Sequence, residues 1–134
     1  MTHPSLLVAS LLVASGGGTG ALARFHLGRL VQRLAPAAQA GFPWATLIAN
    51  VLGSLLMGLL VGYLARHGSS KESWRLLIGV GLLGGFTTFS SFSMEIVLLW
   101  ERGAFASAIA YAAVSLAAGV AAMVLGLMVM RVAG

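Results

Sequence analysis

Residues Gly84 to Glu95 read Gly-Gly-Phe-Thr-Thr-Phe-Ser-Ser-Phe-Ser-Met-Glu, with glycines, hydroxyls, aromatic rings and one carboxyl crowded into an otherwise apolar stretch. Paired glycines followed by paired threonines are poor helix formers. Inside a membrane, an unwound backbone survives only where its carbonyls meet protein, water or a cation. Freed carbonyl oxygens suit a hard cation. The positive N-terminal end of a helix that restarts after such a break favours an anion. At about 100° per residue, Ser91, Glu95, Thr88, Phe92 and Phe89 fall on one arc. Phe rings carry a positive edge, so rings presented edge-on attract an anion without becoming a fixed cationic trap. Hydroxyls can replace part of an ion's hydration shell. A second account stays open: Phe89 and Phe92 simply pack, and the serines hydrogen-bond back to their own helix.

Asn50 is the other polar group set deep in an apolar run. An amide in hydrocarbon is costly unless partnered, so it is expected to face protein, water or an ion. Other chemistry is sparse. Cys is absent, which excludes disulfides, thiolate metal sites and cysteine nucleophiles. His3, His26 and His67 lack metal-site spacing. Glu72, Glu95 and Glu101 make no evident acid/base pair, and no base accompanies the serines. Gly79, Gly81 and Gly84 match GxGxxG, and Gly16 to Gly20 loosely resembles a phosphate loop. Neither has the strand-turn-helix setting or the GK[ST] that nucleotide binding needs. The chain is therefore not expected to be an enzyme.

These residues are carried by a chain built for lipid. Of its 134 residues, 59% are hydrophobic and 8% charged, and the mean hydropathy is +0.98, far above that of a soluble domain. A crossing needs about 20 apolar residues, and four such stretches fit: about Ser5 to Ala23, Trp44 to Leu64, Leu76 to Leu99 and Ala104 to Met130. The first continues as a more polar turn or two through Arg24, His26, Arg29 and Arg33. Pro36, Gly41 and Pro43 punctuate the first connection, His67 to Ser73 form the second and Glu101 to Gly103 the third. Such short links predict antiparallel packing of neighbouring helices in a single domain, residues 1–134. Trp44, Tyr63, Trp74 and Trp100 mark span ends, where amphipathic rings prefer the interface. The segment Leu6 to Ala14 lacks the basic start of a secretory leader, since only His3 precedes it, so it is expected to be retained as a membrane helix.

The net charge of +5 would suggest nucleic acid for a soluble protein. Here the cations flank apolar spans and read as headgroup and topology anchors, with no nucleic-acid partner. Arg66, Lys71, Arg75 and Arg131 fall on one side; Arg24, Arg29, Arg33 and Arg102 fall on the other. Four against four gives no preferred orientation. We therefore expect dual topology, with two oppositely inserted copies paired as an antiparallel homodimer. Small residues mark where helices approach. Thr46, Asn50, Ser54, Gly58 and Gly62 step by four along the second span, Ser107, Tyr111, Ser115 and Gly119 along the fourth, and Gly16 and Gly20 form GxxxG in the first. For the glycines, plain helix packing is a better account than function.

The run GGFTTFSSFS at 84–93, Asn50 within TLIANVLGS, and GGGTGALAR ending at Arg24 resemble the Fluc/CrcB family of fluoride channels, and the similarity extends over essentially the whole chain. The resemblance implies an all-α, multi-pass protein of the plasma (inner) membrane. It has four transmembrane helices, a break in the third, and a dual-topology dimer with two fluoride pores built from both subunits. It also implies that Asn50, Thr88, Phe89, Ser91 and Phe92 line the pore, and that Tyr111 and Ser115 form a polar track on the fourth helix. Arg24 would lie near the aqueous mouth. Backbone carbonyls of Gly84 and Thr87, from both subunits, would hold a structural Na⁺ at the dimer centre. Export would be passive electrodiffusion driven by a negative interior. A small proton-coupled multidrug exporter is the rival dimer, but it needs a carboxylate in the first span, where this sequence has none. An assembly subunit that transports nothing is a further alternative, and it leaves Asn50 and the midspan run unexplained.

Overall fold

The computed structural model describes residues 4–39, 41–67 and 72–132, all of them helical or in short links. His3 and Lys71, which enter the leader and charge arguments, and residues 68–71 of the second connection lie outside the described residues. Four helical stretches are long and apolar enough to cross a membrane: Leu6–Leu34, Trp44–Arg66, Glu72–Glu101 and Phe105–Val132.

Helix α1 (Leu6–Leu34) starts where the Ser5 hydroxyl accepts from the Val8 N–H and stops at Ala35, whose φ of −141° and ψ of 61° leave the helical region that a following proline disfavours. Within the short link that Pro36, Gly41 and Pro43 punctuate, Pro36–Gln39 form a short helix, α2. Pro36 sits at its first position, where a missing N–H costs nothing. Helix α3 (Trp44–His67) follows. The third stretch begins earlier than expected, with α4 (Glu72–Trp74), because Glu72 and Arg75 pair at 2.6 Å one turn apart. It widens into a π-helical segment, Arg75–Leu83, in which the Gly84 N–H reaches back five residues to the Gly79 carbonyl. After α5 (Gly84–Phe86) come Thr87 (φ −83°, ψ 157°) and Thr88 (φ −151°, ψ 123°), both extended. Helix α6 (Phe89–Glu101) resumes from there. A turn through Gly103, whose φ of 76° suits glycine, leads to α7 (Phe105–Val132).

Neighbouring helices were expected to pack against one another, and α1 does touch α3 as α6 touches α7. Yet the broadest packing joins alternate spans, α3 with α7 and α1 with the π-helical segment and α5. The cause is the distribution of small residues. A Cβ on Gly16 would strike the Leu77 carbonyl and one on Gly20 the Leu82 carbonyl, while Gly85 faces Gly17. Likewise Gly58 faces the Met123 carbonyl and Gly126 the Leu55 carbonyl. Backbones that touch gain dispersion contacts where no hydrophobic drive between helices exists. Around α6 a small core forms from Leu47, Phe92, Leu99, Ala108 and Tyr111. Most other large apolar side chains face outward, as a bilayer permits.

Candidate functional site

The extended pair Thr87–Thr88 organises its surroundings. Helix α3 brings Asn50 against it, and the amide pairs twice with one residue: Asn50 Nδ2 donates to the Thr88 carbonyl at 3.1 Å, and the Thr88 N–H donates to Asn50 Oδ1 at 2.8 Å. Thr88 also caps α6. Its Oγ1 accepts from the Ser91 N–H and donates to Ser91 Oγ, both at 3.1 Å. One side chain thus satisfies a backbone that the helix has abandoned, and another restarts the helix.

Beside the pair lies a cavity of about 340 Å³, lined among others by Asn50, Thr87, Thr88, Phe89, Phe92 and Ser115. Phe89 is 76% exposed and Phe92 only 8%, with ring centroids 5.8 Å apart. Ser115 is the one buried side-chain polar group without a hydrogen-bond partner among the described residues. A buried donor left free at a cavity wall costs stability unless something enters to meet it.

The ring series continues inward. Phe92 meets Tyr111 at 5.2 Å, and Phe42 stands edge-on to Tyr111 at 5.3 Å. Tyr111 is fully buried, and its hydroxyl donates to Glu95 Oε2 at 2.6 Å. The Thr46 hydroxyl donates to Glu95 Oε1 at 2.7 Å. A carboxylate with two hydroxyl donors, all buried or half-buried, therefore follows the aromatic rings along α6.

Of the ten residues singled out from sequence, Asn50, Thr87, Thr88, Phe89, Phe92 and Ser115 meet at the cavity. Ser91 is bound to Thr88 instead. Tyr111 lies behind Phe92, and Gly84 is exposed. Arg24 is half-buried and does not sit in a connection. Its Nε reaches the Gly85 carbonyl at 3.4 Å, one residue beyond Gly84. Sequence reasoning passed over Glu95 as a partnered group and Thr46 as a donor. The signal was available in part, since Thr46 lies one turn before Asn50 and Glu95 one turn after Ser91.

The chain can also be set beside known proteins. The family model described as CrcB-like protein, Camphor Resistance (CrcB), matches residues 11–127. Among curated relatives, the fluoride-specific ion channel FluC of Novosphingobium aromaticivorans is 55% identical over 125 residues, covering 93% of this chain and 98% of its own. The proteins of the same name from Phenylobacterium zucineum and Erythrobacter litoralis are 51% and 49% identical, covering 92% and 93% of this chain and 95% and 93% of their own.

Proposed function

Since the chain belongs to the CrcB family, we propose that it is a fluoride channel of the plasma membrane that relieves the cell of the ion by passive electrodiffusion. It is a multi-pass membrane protein and not an enzyme. The observation that carries the proposal is the cavity at Thr87–Thr88. It gathers an amide, two phenyl rings and an unpartnered hydroxyl, and the weak donors among them are what a strongly hydrated anion needs if it is to dehydrate and still leave.

We read the extended pair as a break in the third crossing, and the pore as a line through Asn50, Thr88, Ser91 and Ser115, past Phe89 and Phe92, to Tyr111. Glu95 and Thr46 belong to the same line. Arg24 draws the anion toward it. A negative interior supplies about 2.3 kcal/mol per 100 mV to each departing anion, so neither ATP nor proton coupling is needed. The partner is a second copy inserted in the opposite sense. The balanced count of Lys and Arg supports this, as do Phe89, exposed beside the cavity, and the apolar face of α7 along Leu116, Val120 and Val124. Two such cavities make two pores.

A structural Na⁺ suits the centre of that dimer, held by the carbonyls of Gly84 and Thr87. Among the described residues no His/Asp/Glu cluster could hold a metal, so a cation depends on backbone oxygens. Two of these are free of their usual donors. The Thr88 N–H, which a continuous helix would send to Gly84, goes to Asn50, and the Ser91 N–H, due to Thr87, goes to Thr88 Oγ1. Hard cations take such oxygens.

Efflux of fluoride and of chloride from proteoliposomes holding the purified chain tests the proposal. Fluoride is expected to leave far faster than chloride. Vesicles that release no more fluoride than empty ones refute it, and labelling one terminus on a single face of the membrane refutes dual topology.

A further inference from the structure

We infer that Asn50 is a positioning residue: its side-chain amide acts as a stand-in peptide group that holds Thr88 extended and so aims the start of α6 at the cavity. The inference rests on the channel reading above but concerns what shapes the site.

Three observations converge. The two hydrogen bonds, 3.1 Å from Nδ2 to the Thr88 carbonyl and 2.8 Å from the Thr88 N–H to Oδ1, engage both ends of one amide with both backbone groups of one residue. This is the pairing of two extended strands, supplied here by a side chain. An extended residue between helices has no neighbouring strand, and in a bilayer its N–H and carbonyl have no water to turn to. Second, α3 comes close enough to do this only because Gly53, one turn past Asn50, lacks a side chain. A Cβ there would run into the Thr87 methyl. Asn50 and Gly53 thus form a cradle, one gripping Thr88 and the other admitting Thr87. Third, Thr88 caps α6 through the Ser91 N–H, so its backbone direction sets where Phe89 and Phe92 point.

The amide is largely committed. Oδ1 and one N–H serve Thr88, which leaves a single N–H to face the cavity. Asn suits the position because no other short side chain offers an acceptor and a donor in one planar fork. Leu has a similar size and neither group.

Hydrogen exchange of the dimer in lipid nanodiscs, read on peptides across 84–95 and on α1 and α7, tests this alongside fluoride efflux. In the wild-type chain Thr88 should exchange slowly although it lies outside any helix. In Asn50→Leu, exchange at Thr87 to Ser91 should rise by ~10-fold or more, with α1 and α7 unchanged, and efflux should fall with it. Gly53→Ala, which leaves the amide intact, should give the same local rise if Asn50→Leu does not assemble. Unchanged exchange at 84–95 with efflux lost overturns the inference, because Asn50 would then act on the ion alone and not through Thr88. A rise spread over all spans overturns it as well, since that marks general stability. A wild-type chain that passes no fluoride ends the channel reading, and the exchange contrast still decides the role of Asn50.

Discussion

Two stretches of the third crossing solve the same problem in opposite ways. From Leu77 to Phe86 the helix lies against α1 with nothing between the backbones, because Gly16, Gly20, Gly81 and Gly85 supply no side chains. At Thr87 and Thr88 the backbone is extended, and side chains take over the hydrogen bonds that a continuous helix would make there, with Asn50 and the Thr88 hydroxyl serving in place of helix neighbours. The first stretch is sealed by absence, the second kept open by substitution. Lipid provides no hydrogen bonds, so a polar opening at this depth has to be made from donors and acceptors brought in by other helices.

The sealed stretch is the more sensitive to added volume. Gly20→Val places a Cβ against the Leu82 carbonyl and the Phe86 N–H. Backbone cannot rotate out of the way, so the helices must part at a cost of ~3 kcal/mol or more. The purified variant should fail to give a single monodisperse species by size exclusion. Gly18→Val, on the same helix but with nothing within 4 Å, should behave as wild type. If the two variants assemble alike, the contrast between sealed and open stretches is mistaken.

In the open stretch, changes should fall on transport before assembly. Phe92→Ile trims a ring that is 8% exposed and packed on Tyr111. The stability cost should be ~1–2 kcal/mol, while fluoride efflux should drop by ~10-fold or more, since the substitution removes a ring that we propose lines the pore. Unimpaired efflux would mean that Phe92 merely packs. Ser115→Ala is subtler. It removes a hydroxyl that has no protein partner, so thermal stability should hold or rise slightly while efflux falls several-fold, within ~10-fold. A marked loss of stability would show that Ser115 serves the fold.

Much of this was legible in the residues. Four crossings, their aromatic ends and the small ridges on the second and fourth follow from hydropathy and a four-residue step. Gly58 and Gly62 of the second ridge and Gly119 of the fourth do lie against the facing helix, while Gly126, which the four-residue step passed over, meets the Leu55 carbonyl. Thr87 and Thr88 stand out by propensity alone. The rest depends on which faces meet. Asn50 reaches Thr88 across 38 positions, Thr46 reaches Glu95 across 49, and Tyr111 reaches Glu95 across 16. No local preference encodes the relative rotation of two helices, so Glu95 looked unpartnered. The same gap hid the pairing of alternate spans. The π-helical widening at Arg75–Leu83 escaped notice because its glycines read equally well as ordinary packing positions.

Arg24 carries the smallest expected effect and the sharpest test of where the two stretches join. It springs from α1, four residues beyond Gly20 on the sealed side, and its Nε reaches Gly85 at 3.4 Å, two residues before Thr87. That distance is long for a hydrogen bond, so the contact contributes little. On the channel reading proposed above the charge matters more, because a half-buried guanidinium raises the local concentration of an approaching anion. Arg24→Gln should therefore slow efflux by ~2- to 3-fold at low ionic strength, and the deficit should shrink as salt shortens the screening length from about 30 Å at 0.01 M to about 3 Å at 1 M. Arg24→Lys keeps the charge without the planar fork and should stay near wild type. If Lys proves as slow as Gln, and salt does not matter, Arg24 works by holding the Gly85 carbonyl, and the side-chain support seen at Thr88 extends one turn further back than the geometry of Asn50 alone implies.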